Sequence, residues 1–424
     1  MSGTLVAFES DASNFVAGDT VTRDVFVKNL STAAVIRASQ TSAGVGGALP
    51  STQPYLASNG NFVVFQTGSQ LDRSNPDNNG LSDIYRHALS SGNTERATLS
   101  VSAPTNAAGS SFSASVSANG RYVWFTSTAL TLTSPPAIRA SQIYRRDMSN
   151  LDVLLASNGD QTAGLAQTSS DGRSACFESN AALEASDTNQ VSDVWRFDVA
   201  TSSLARQSLA TSAVASHFGN DATNLTDVGP NASRVFGLTL ARDLDTASFA
   251  APPSFAQQLA EIEPTTAQIQ LRPRNVSGAL PTADVYSARQ STDGNWLAFD
   301  TLADNLSALD ANTTTDVYRM NLATGVLNLV SLNTAGLGSG SATSSGSALG
   351  ISGTGARVAF LSDAGNLHRK RQQQCNRRLC LGRKPKRADA KGQCGNRWRT
   401  GQWRQQRGQH GRKRQLCGVH LGRR

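Results

Sequence analysis

Apolar and polar residues alternate along most of the chain in short runs, and the runs recur. "YVWF" (122–125) and "WLAF" (296–299) put every second side chain on one face, the period of a half-buried strand. A Gly-containing turn precedes each such run and a polar loop follows it. A second run then reads "DVFV", "DIYR", "DVWR" or "DVYR". A Thr-Gly or Ser-Gly turn leads to a third, such as "VLNLVSL". Period-2 alternation, β-branched and aromatic enrichment and this turn punctuation predict antiparallel sheet. The one helix-like stretch lies in the insertion "TASFAAPPSFAQQLAEIEPTTAQIQ" (246–270).

The runs assemble into repeats. "SNGNFVVFQTGSQLDRSNPDNNGLSDIYRHAL" begins at Ser58, "SDGRSACFESNAALEASDTNQVSDVWRFDV" at Ser170 and "TDGNWLAFDTLADNLSALDANTTTDVYRMNL" at Thr292. Anchor aromatics fall at Phe8, Phe65, Phe125, Phe177, Phe299 and Phe360, spaced 57, 60, 52, 122 and 61 residues apart. The doubled interval predicts one worn unit, with its insertion at about 210–290, whose remnant is "NASRVFGLTLARDL" near Phe236. A unit of about 60 residues with three or four strands has the size of one propeller blade. The expected fold is therefore all-β: an incomplete β-propeller over residues 1–367, with about six or seven blades in the intact protein and roughly six in this chain. The first unit starts at its own turn, so a closing strand and a signal peptide are expected upstream in an intact parent; no signal peptide is read in this chain. Truncation of a blade anchor is expected to be costly, because Phe65, Phe125, Phe177, Phe299 and Phe360 should each sit between neighbouring blades.

These units resemble the WD40-like β-propeller repeats of the TolB-type family, common in secreted and envelope proteins of bacteria. The form "S-x-x-G-x-x-V-A-F-x-S-x-A-x-N-L-x-x-x-D-x-N-x-x-x-D-V-Y" is matched best by Thr292–Tyr318, with Thr for the opening Ser. The resemblance covers most of 1–367 and implies a propeller in the periplasm or outside the cell. It says little about activity, since propellers host many.

Charge changes the picture at the C-terminal end. The 424 residues carry a formal net charge of +8. Residues 368–424 hold 19 Lys and Arg against one acid, Asp389. Removing these from totals of 39 and 31 leaves 20 basic and 30 acidic residues in 1–367, a net of −10. Four of the five cysteines (Cys375, Cys380, Cys394, Cys417) also lie beyond 367. The repeat breaks off after "SDAGNL", where earlier units predict a "D-x-N-x-x-x-D-V-F" loop. One allowed set of codons for His368–Lys384, read one base later, spells T-A-S-D-S-N-N-A-T-D-V-F-V-W-D-A, a normal repeat loop and strand. "RKRQLCGVHLGR", from Arg412, can likewise be shifted to A-N-G-S-Y-V-A-F-I-S-D-A, the opening of a next unit. The expectation is a frameshift near Leu367, with 368–424 a disordered basic tail that forms no blade. Its Arg-rich composition then implies no specific nucleic-acid partner, and its Cys and His spacing no zinc site.

Candidate chemistry is sparse. "D-x-N-x-x-x-D" recurs as Asp187, Asn189, Asp193 and as Asp310, Asn312, Asp316, and also at Asp77, Asn79, Asp83. Clustered carboxylate and amide oxygens on a short loop suit calcium, a hard cation. The same residues also cap turns by accepting backbone N–H groups. Repetition in several blades favours the turn role, so no cofactor is expected and calcium is the one candidate ion. His87 is expected to point to solvent, His217 falls in the worn region, and Cys176 is expected in the core. No G-x-S-x-G, H-E-x-x-H or His–Cys pattern occurs. No run of about 18 apolar residues predicts a membrane span. The expected function is a non-enzymatic interaction or scaffold propeller of a bacterial envelope or secreted protein, with a protein or peptide partner on a propeller face. The alternative is the gating or substrate-binding propeller of a hydrolase or lyase whose catalytic part is absent from this chain.

Overall fold

A computed structural model of the chain describes residues 3–19, 22–100, 108–138, 141–188, 191–208, 222–241, 244, 256–266, 268–367 and 416–420, the last by backbone alone. The chain is a seven-bladed β-propeller. Blade 1 holds β1 (Leu5–Ser10), β2 (Asp24–Asn29) and β3 (Val35–Arg37). Blade 2 holds β4 (Ser51–Leu56), β5 (Phe62–Thr67), β6 (Asp83–Ala88) and β7 (Thr94–Arg96). Blade 3 runs β8 (Ser111–Val116), β9 (Tyr122–Ser127), β10 (Gln142–Asp147), β11 (Val153–Leu155), and blade 4 β12 (Ala163–Thr168), β13 (Ser174–Ser179), β14 (Asp193–Asp198), β15 (Ser203–Arg206). Blade 5 runs β16 (Thr223–Val228), β17 (Val235–Thr239), β18 (Gln258–Glu263), β19 (Gln268–Arg272). Blade 6 runs β20 (Val285–Gln290), β21 (Trp296–Thr301), β22 (Asp316–Asn321), β23 (Leu327–Leu329), and blade 7 β24 (Ser344–Ile351), β25 (Arg357–Ser362), β26 (Leu416–His420).

Every complete blade is an antiparallel meander, a-b-c-d in chain order. The a strands pack beside one another around the centre, so d lies at the rim. Each strand is short, and its alternation serves two neighbours: one face of a blade meets the blade before, the other the blade after. Six apolar cores result, one between each pair of blades consecutive in the chain. Val25 and Val27 of blade 1 meet Phe65 and Tyr85 of blade 2. Val64 and Ile84 meet Phe125 and Tyr144, and Trp124 and Ile143 meet Phe177 and Trp195. Cys176 and Val194 meet Val235 and Ile262, Phe236 and Leu259 meet Phe299 and Tyr318, and Ala298 and Val317 meet Val358 and Phe360. The anchors Phe65, Phe125, Phe177, Phe299 and Phe360 are all 0% exposed. In three blades the anchor stacks on the c-strand tyrosine, as Phe299 does on Tyr318 at 5.6 Å and 9°.

A second joint repeats on the turn face. The a–b turn glycines Gly60, Gly120, Gly172 and Gly355 all have φ near +75° and lie against the first b residue of the preceding blade (Leu5, Phe62, Tyr122 and Trp296). At Gly120, Gly172 and Gly355 a Cβ would fall within 2.5 Å of that side chain, so only glycine fits both the dihedral and the space. The carbonyl of such a glycine accepts a bond from the preceding blade: Arg86 Nη1 donates to Gly120 O at 2.5 Å, Arg319 Nη1 to Gly355 O at 2.6 Å and Arg357 Nη1 to Gly3 O at 2.8 Å. The last of these brings blade 7 beside blade 1.

Three expectations are corrected. In the worn unit the anchor position belongs to Gly237, not Phe236. Gly237 pairs with Ala260 of the c strand, as Phe65 pairs with Tyr85, and its neighbour Phe236 points to the opposite seam. A one-residue offset along a strand reverses the face. The helix-like stretch of the insertion ends in β18 and β19, because "QLAEIE" completes the pairing that β17 needs and buries Leu259 and Ile262. Residues 245–255 of that insertion lie outside the described residues. His87 is buried rather than exposed: it shares a face with Tyr85, and its Nδ1 lies 2.8 Å from Thr94 Oγ1. Beyond 367 the expectation of no blade strand meets one exception, Leu416–His420, which pairs with the open edge of β25. That run holds the tail's single valine and no Lys or Arg, so it opposes strand pairing least. The remaining tail, with the frame expectation, lies outside the described residues.

The blades predict unequal anchors. Phe125→Ala is expected to cost about 3–5 kcal/mol, the range for a truncated, fully packed phenylalanine. Phe8→Ala should cost clearly less, because Phe8 is only part-buried. Urea unfolding of both variants checks this; equal losses would place Phe8 in a seventh closed core.

Candidate functional site

The "D-x-N-x-x-x-D" loops connect strands b and c, and the final Asp opens strand c. Residues two strands distant decide what these acids do. In blade 4, Arg206 of the d strand enters between Asp187 and Asp193, with Nη1 at 3.1 Å and 3.6 Å from their carboxylates and Nη2 at 3.1 Å from Glu184. In blade 2, Arg96 Nη1 lies 3.4 Å from Asp77 and 3.2 Å from Asp83. In blade 1, Arg37 Nη1 lies 3.6 Å from Asp19 and 3.9 Å from Asp24. All three arginines are buried. A guanidinium of the same blade thus lies between the acids. Of the blade 4 candidates, Asp187 and Asp193 converge on it; Asn189 lies outside the described residues.

A hydroxyl completes the clasp. Ser39 Oγ donates to Asp24 at 2.6 Å and Thr98 Oγ1 to Asp83 at 2.5 Å; Ser208 bonds Asp193 in the same way. The same oxygens accept the next c-strand N–H, at 2.9 Å for Val25 and 3.1 Å for Val194. The clasp therefore ties c to d at the rim. Blade 3 keeps the geometry without charge: Gln142 stands for the Asp, Leu155 for the Arg, and Ser157 Oγ donates to Gln142 Oε1 at 2.8 Å. Blade 5 carries Gln258 and Leu271 at these places. The Arg or Leu always follows the Asp or Gln by thirteen residues: 24 to 37, 83 to 96, 142 to 155, 193 to 206, 258 to 271 and 316 to 329. That spacing was the signal which a reading of the loop alone passes over.

Blade 6 breaks the rule. It has both acids, Asp310 and Asp316, but Leu329 where Arg belongs. Tyr318 Oη donates to Asp310 Oδ2 at 2.6 Å, Ser331 Oγ to Asp316 Oδ1 at 2.5 Å and Asn312 Nδ2 to Asp316 Oδ2 at 3.0 Å. Asp310 Oδ1 is buried with no hydrogen-bond partner. Asn312 turns its amide nitrogen, not its oxygen, toward Asp316; its oxygen caps the backbone N–H of Thr314 at 2.7 Å. Calcium asks for six to eight oxygens, and this arrangement offers it few. Burial, reinforced by the neighbouring Asp310, pushes the Asp316 carboxyl up to about 6. Hydrogen bonds from Tyr318, Ser331 and Asn312 stand where the other blades have a guanidinium.

The other reactive side chains are held inert. Burial lowers His87 to about 4 and raises the Cys176 thiol to about 12, so both are neutral near pH 7. His217 lies outside the described residues. A rim cleft of about 520 Å³ beside blade 2 is lined by Asp72, Arg73, Asn75, Glu95, Leu99 and Met148. Its Asp72 already accepts bonds from the N–H groups of Ser74 and Arg96. Among the described residues no cluster of three His, Cys, Asp or Glu is placed to hold a metal.

No protein-family model matches the sequence, and no curated protein matches it as a relative. Solved structures do resemble the fold. Oligogalacturonate lyase in complex with manganese matches with a TM-score of 0.50 at 10% identity, over 86% of this chain and 84% of that one. The β-propeller domain of the Trilobed protease from Pyrococcus furiosus gives 0.48 at 9%, over 86% and 90%. TolB from Acinetobacter baumannii gives 0.43 at 13% and covers 77% of this chain; the chain spans 63% of that protein. At these identities the likeness concerns the fold alone.

Two outcomes test the clasp. Arg206→Met should cost about 3–5 kcal/mol by leaving buried acids without their cation. Adding Asp187→Asn and Asp193→Gln, which copies the neutral blades, should restore most of the loss, and EDTA should leave the melting of every form unchanged. A harmless Arg206→Met, or a melt that falls on chelation, would contradict the assignment. The second outcome concerns pH. Asp316 holds its proton more tightly folded (about 6) than unfolded (about 4). The stability this supplies is complete below about pH 4 and is lost as pH rises through about 6. Melting of the wild type should therefore fall more steeply between about pH 4.5 and 7 than that of Asp316→Asn, where other buried carboxylates titrate alike.

Proposed function

We infer that this chain is a protein- or peptide-binding propeller with no chemistry of its own, and that it binds through the face built by its b–c and d–a loops. The observation that carries the reading is the asymmetry of the two faces. The a–b and c–d turns are short: 57–61, 117–121 and 291–295 link a to b, and 89–93 and 322–326 link c to d. The opposite face carries long segments such as 68–82, 128–141 and 330–343. Exposed large apolar side chains gather there: Val45, Leu81, Ile138, Val276, Leu309 and Leu337 among them. Val276 is fully exposed and Leu337 is 81% exposed. On the described short turns only Leu151 and Val326 are comparable. Apolar groups ringed by polar loops are the usual mark of a protein contact.

The side chains that carry acid–base or nucleophilic chemistry support the same reading. His87 and Cys176 are neutral and buried, and the acids of blades 1, 2 and 4 are bound to arginine. We place the intact protein in the periplasm or outside the cell, as the repeat resemblance implies. No helix of the described residues is long and apolar enough to cross a membrane. The basic tail, read as an out-of-frame product, contributes nothing to this function.

A photo-crosslinking residue tests the face. Placed at Leu337, it should yield discrete protein adducts in the native cells; placed at Val326, on the short-turn face, it should yield none. Val276→Asp should reduce the first set. Equal adducts from both positions, or turnover of a uronate polymer or peptide by the purified chain, would overturn the reading.

A further inference from the structure

Strand c carries an arginine at its fourth residue in four blades: Arg86, Arg145, Arg196 and Arg319. Each stands in the half of the strand nearer the c–d turn, on the short-turn side of the ring. Three of the four are answered within the fold. Arg86 donates to Gly120 O at 2.5 Å and to the carboxylate of Glu95, its partner on strand d. Arg319 donates to Gly355 O at 2.6 Å and to Asn328 Oδ1 at 3.2 Å, again the partner on strand d. Arg196 pairs with Asp198 at 2.9 Å. Arg145 has neither a hydrogen bond nor an ion pair among the described residues, and its Nε is buried. Two local replacements explain this. The turn carbonyl that corresponds to Gly120 O, Gly172 O, accepts the Trp124 indole N–H at 3.2 Å. The strand d residue opposite Arg145 is Leu154, where Arg86 faces Glu95. Arg145 keeps only the ring of Tyr122, with its guanidinium carbon 4.6 Å from the centroid. The neighbouring charges are engaged elsewhere. Arg121, on the same ring, forks onto Asp147 at 2.7 and 2.9 Å, and Asp152 accepts the Asn150 amide at 2.5 Å. Arg173 follows Gly172 on the turn that packs against Tyr122, and is exposed. Burial lowers the Arg145 guanidinium from its usual value. A half-buried cation whose fold supplies no acceptor keeps its donors for an external anion.

We propose that Arg145, on the short-turn face at the seam of blades 3 and 4, is a binding site for a carboxylate supplied in trans by an acidic peptide. The class of ligand is read from blade 2, where a carboxylate already occupies the equivalent place. There Glu95 meets Arg86 over the ring of Phe62, as Arg145 lies over Tyr122. Blade 3 keeps the cation and the ring and has Leu154 in place of the acid. A guanidinium edge offers parallel N–H groups that match the two oxygens of a carboxylate. The aromatic ring beneath holds the guanidinium plane, so little order is lost when the ligand arrives. The site lies on the face opposite the apolar loops and three blades from Val326, and it does not rest on the loop-face reading.

The probe is a tetraglutamate peptide blocked at both ends, with the tetraglutamine peptide as its control, added to the full chain at constant ionic strength. The glutamate peptide should raise the melting temperature saturably, by roughly 3 °C at a hundredfold excess over its Kd, and the glutamine peptide should not. Arg145→Met should weaken binding about tenfold or more, the loss of one charge-assisted pair. Arg319→Met removes a guanidinium already bound within the fold and should leave peptide binding as in the wild type. Leu154→Glu copies blade 2: it should melt higher than Leu154→Gln and no longer respond to the peptide. The proposal is overturned if the glutamate peptide gives no saturable shift, if the glutamine peptide binds equally, if Arg145→Met binds as the wild type does, or if Leu154→Glu still responds. Inorganic phosphate giving the larger Arg145-dependent shift would assign the site to a phosphoryl group and overturn the carboxylate reading as well.

Discussion

A short sheet that is apolar on both faces has nowhere to put them except against another sheet. That constraint organises the molecule. Its strands are too short and too few per blade for any blade to enclose a core, so each core is assembled at a seam from two blades. Phe65 is as much a residue of blade 1's environment as of its own strand. The turn glycines follow from the same need. Two blades meet closely on that face only if the turn has no side chain, and the carbonyl exposed there is then within reach of an arginine next door.

At the rim the problem is different. Strand d is three to five residues long and has one neighbour, so ladder bonds alone hold it weakly. The Asp–Arg–hydroxyl clasp adds a fixed point. Its neutral form in blade 3 shows that charge is dispensable there while the hydroxyl bond is retained. A buried ion pair offers little net stability over an apolar pair of similar size, but a buried ion without its partner is costly. Blade 6 holds the costly case, softened by the hydrogen bonds of Tyr318, Ser331 and Asn312.

Much of this was legible in the sequence, and the failures have common causes. Anchor spacing and turn glycines gave the blade and placed five of the anchors, because a repeat read many times averages out local noise. The worn unit reads one residue out of register: its glycine turn is replaced by "GPNAS", its anchor position holds a glycine, and Phe236 is the one aromatic nearby. His87 reads as solvent-facing in the sequence because a polar side chain at the end of a strand gives no sign of the d strand that covers it. The "D-x-N-x-x-x-D" loop was visible, and the guanidinium that fills it was not. Pattern reading looks along an element, and Arg206 belongs to the strand two steps on. The incompleteness of blade 1 was legible, whereas its consequence for the exposure of Val6 and Phe8 needed the neighbouring blade in place.

The clasp is confined to one blade, and this bears on how such a ring changes over generations. Both acids, their arginine and the hydroxyl are encoded within a few dozen consecutive residues. A duplication or deletion of one unit carries the clasp's charges with it and leaves none of those stranded in the blades on either side. The joints between blades, by contrast, ask only for a glycine carbonyl, a donor and an apolar face, which most units present alike. Private clasps and generic seams make the blade an inheritable module, whose number can drift while the charges of each clasp stay with their partners.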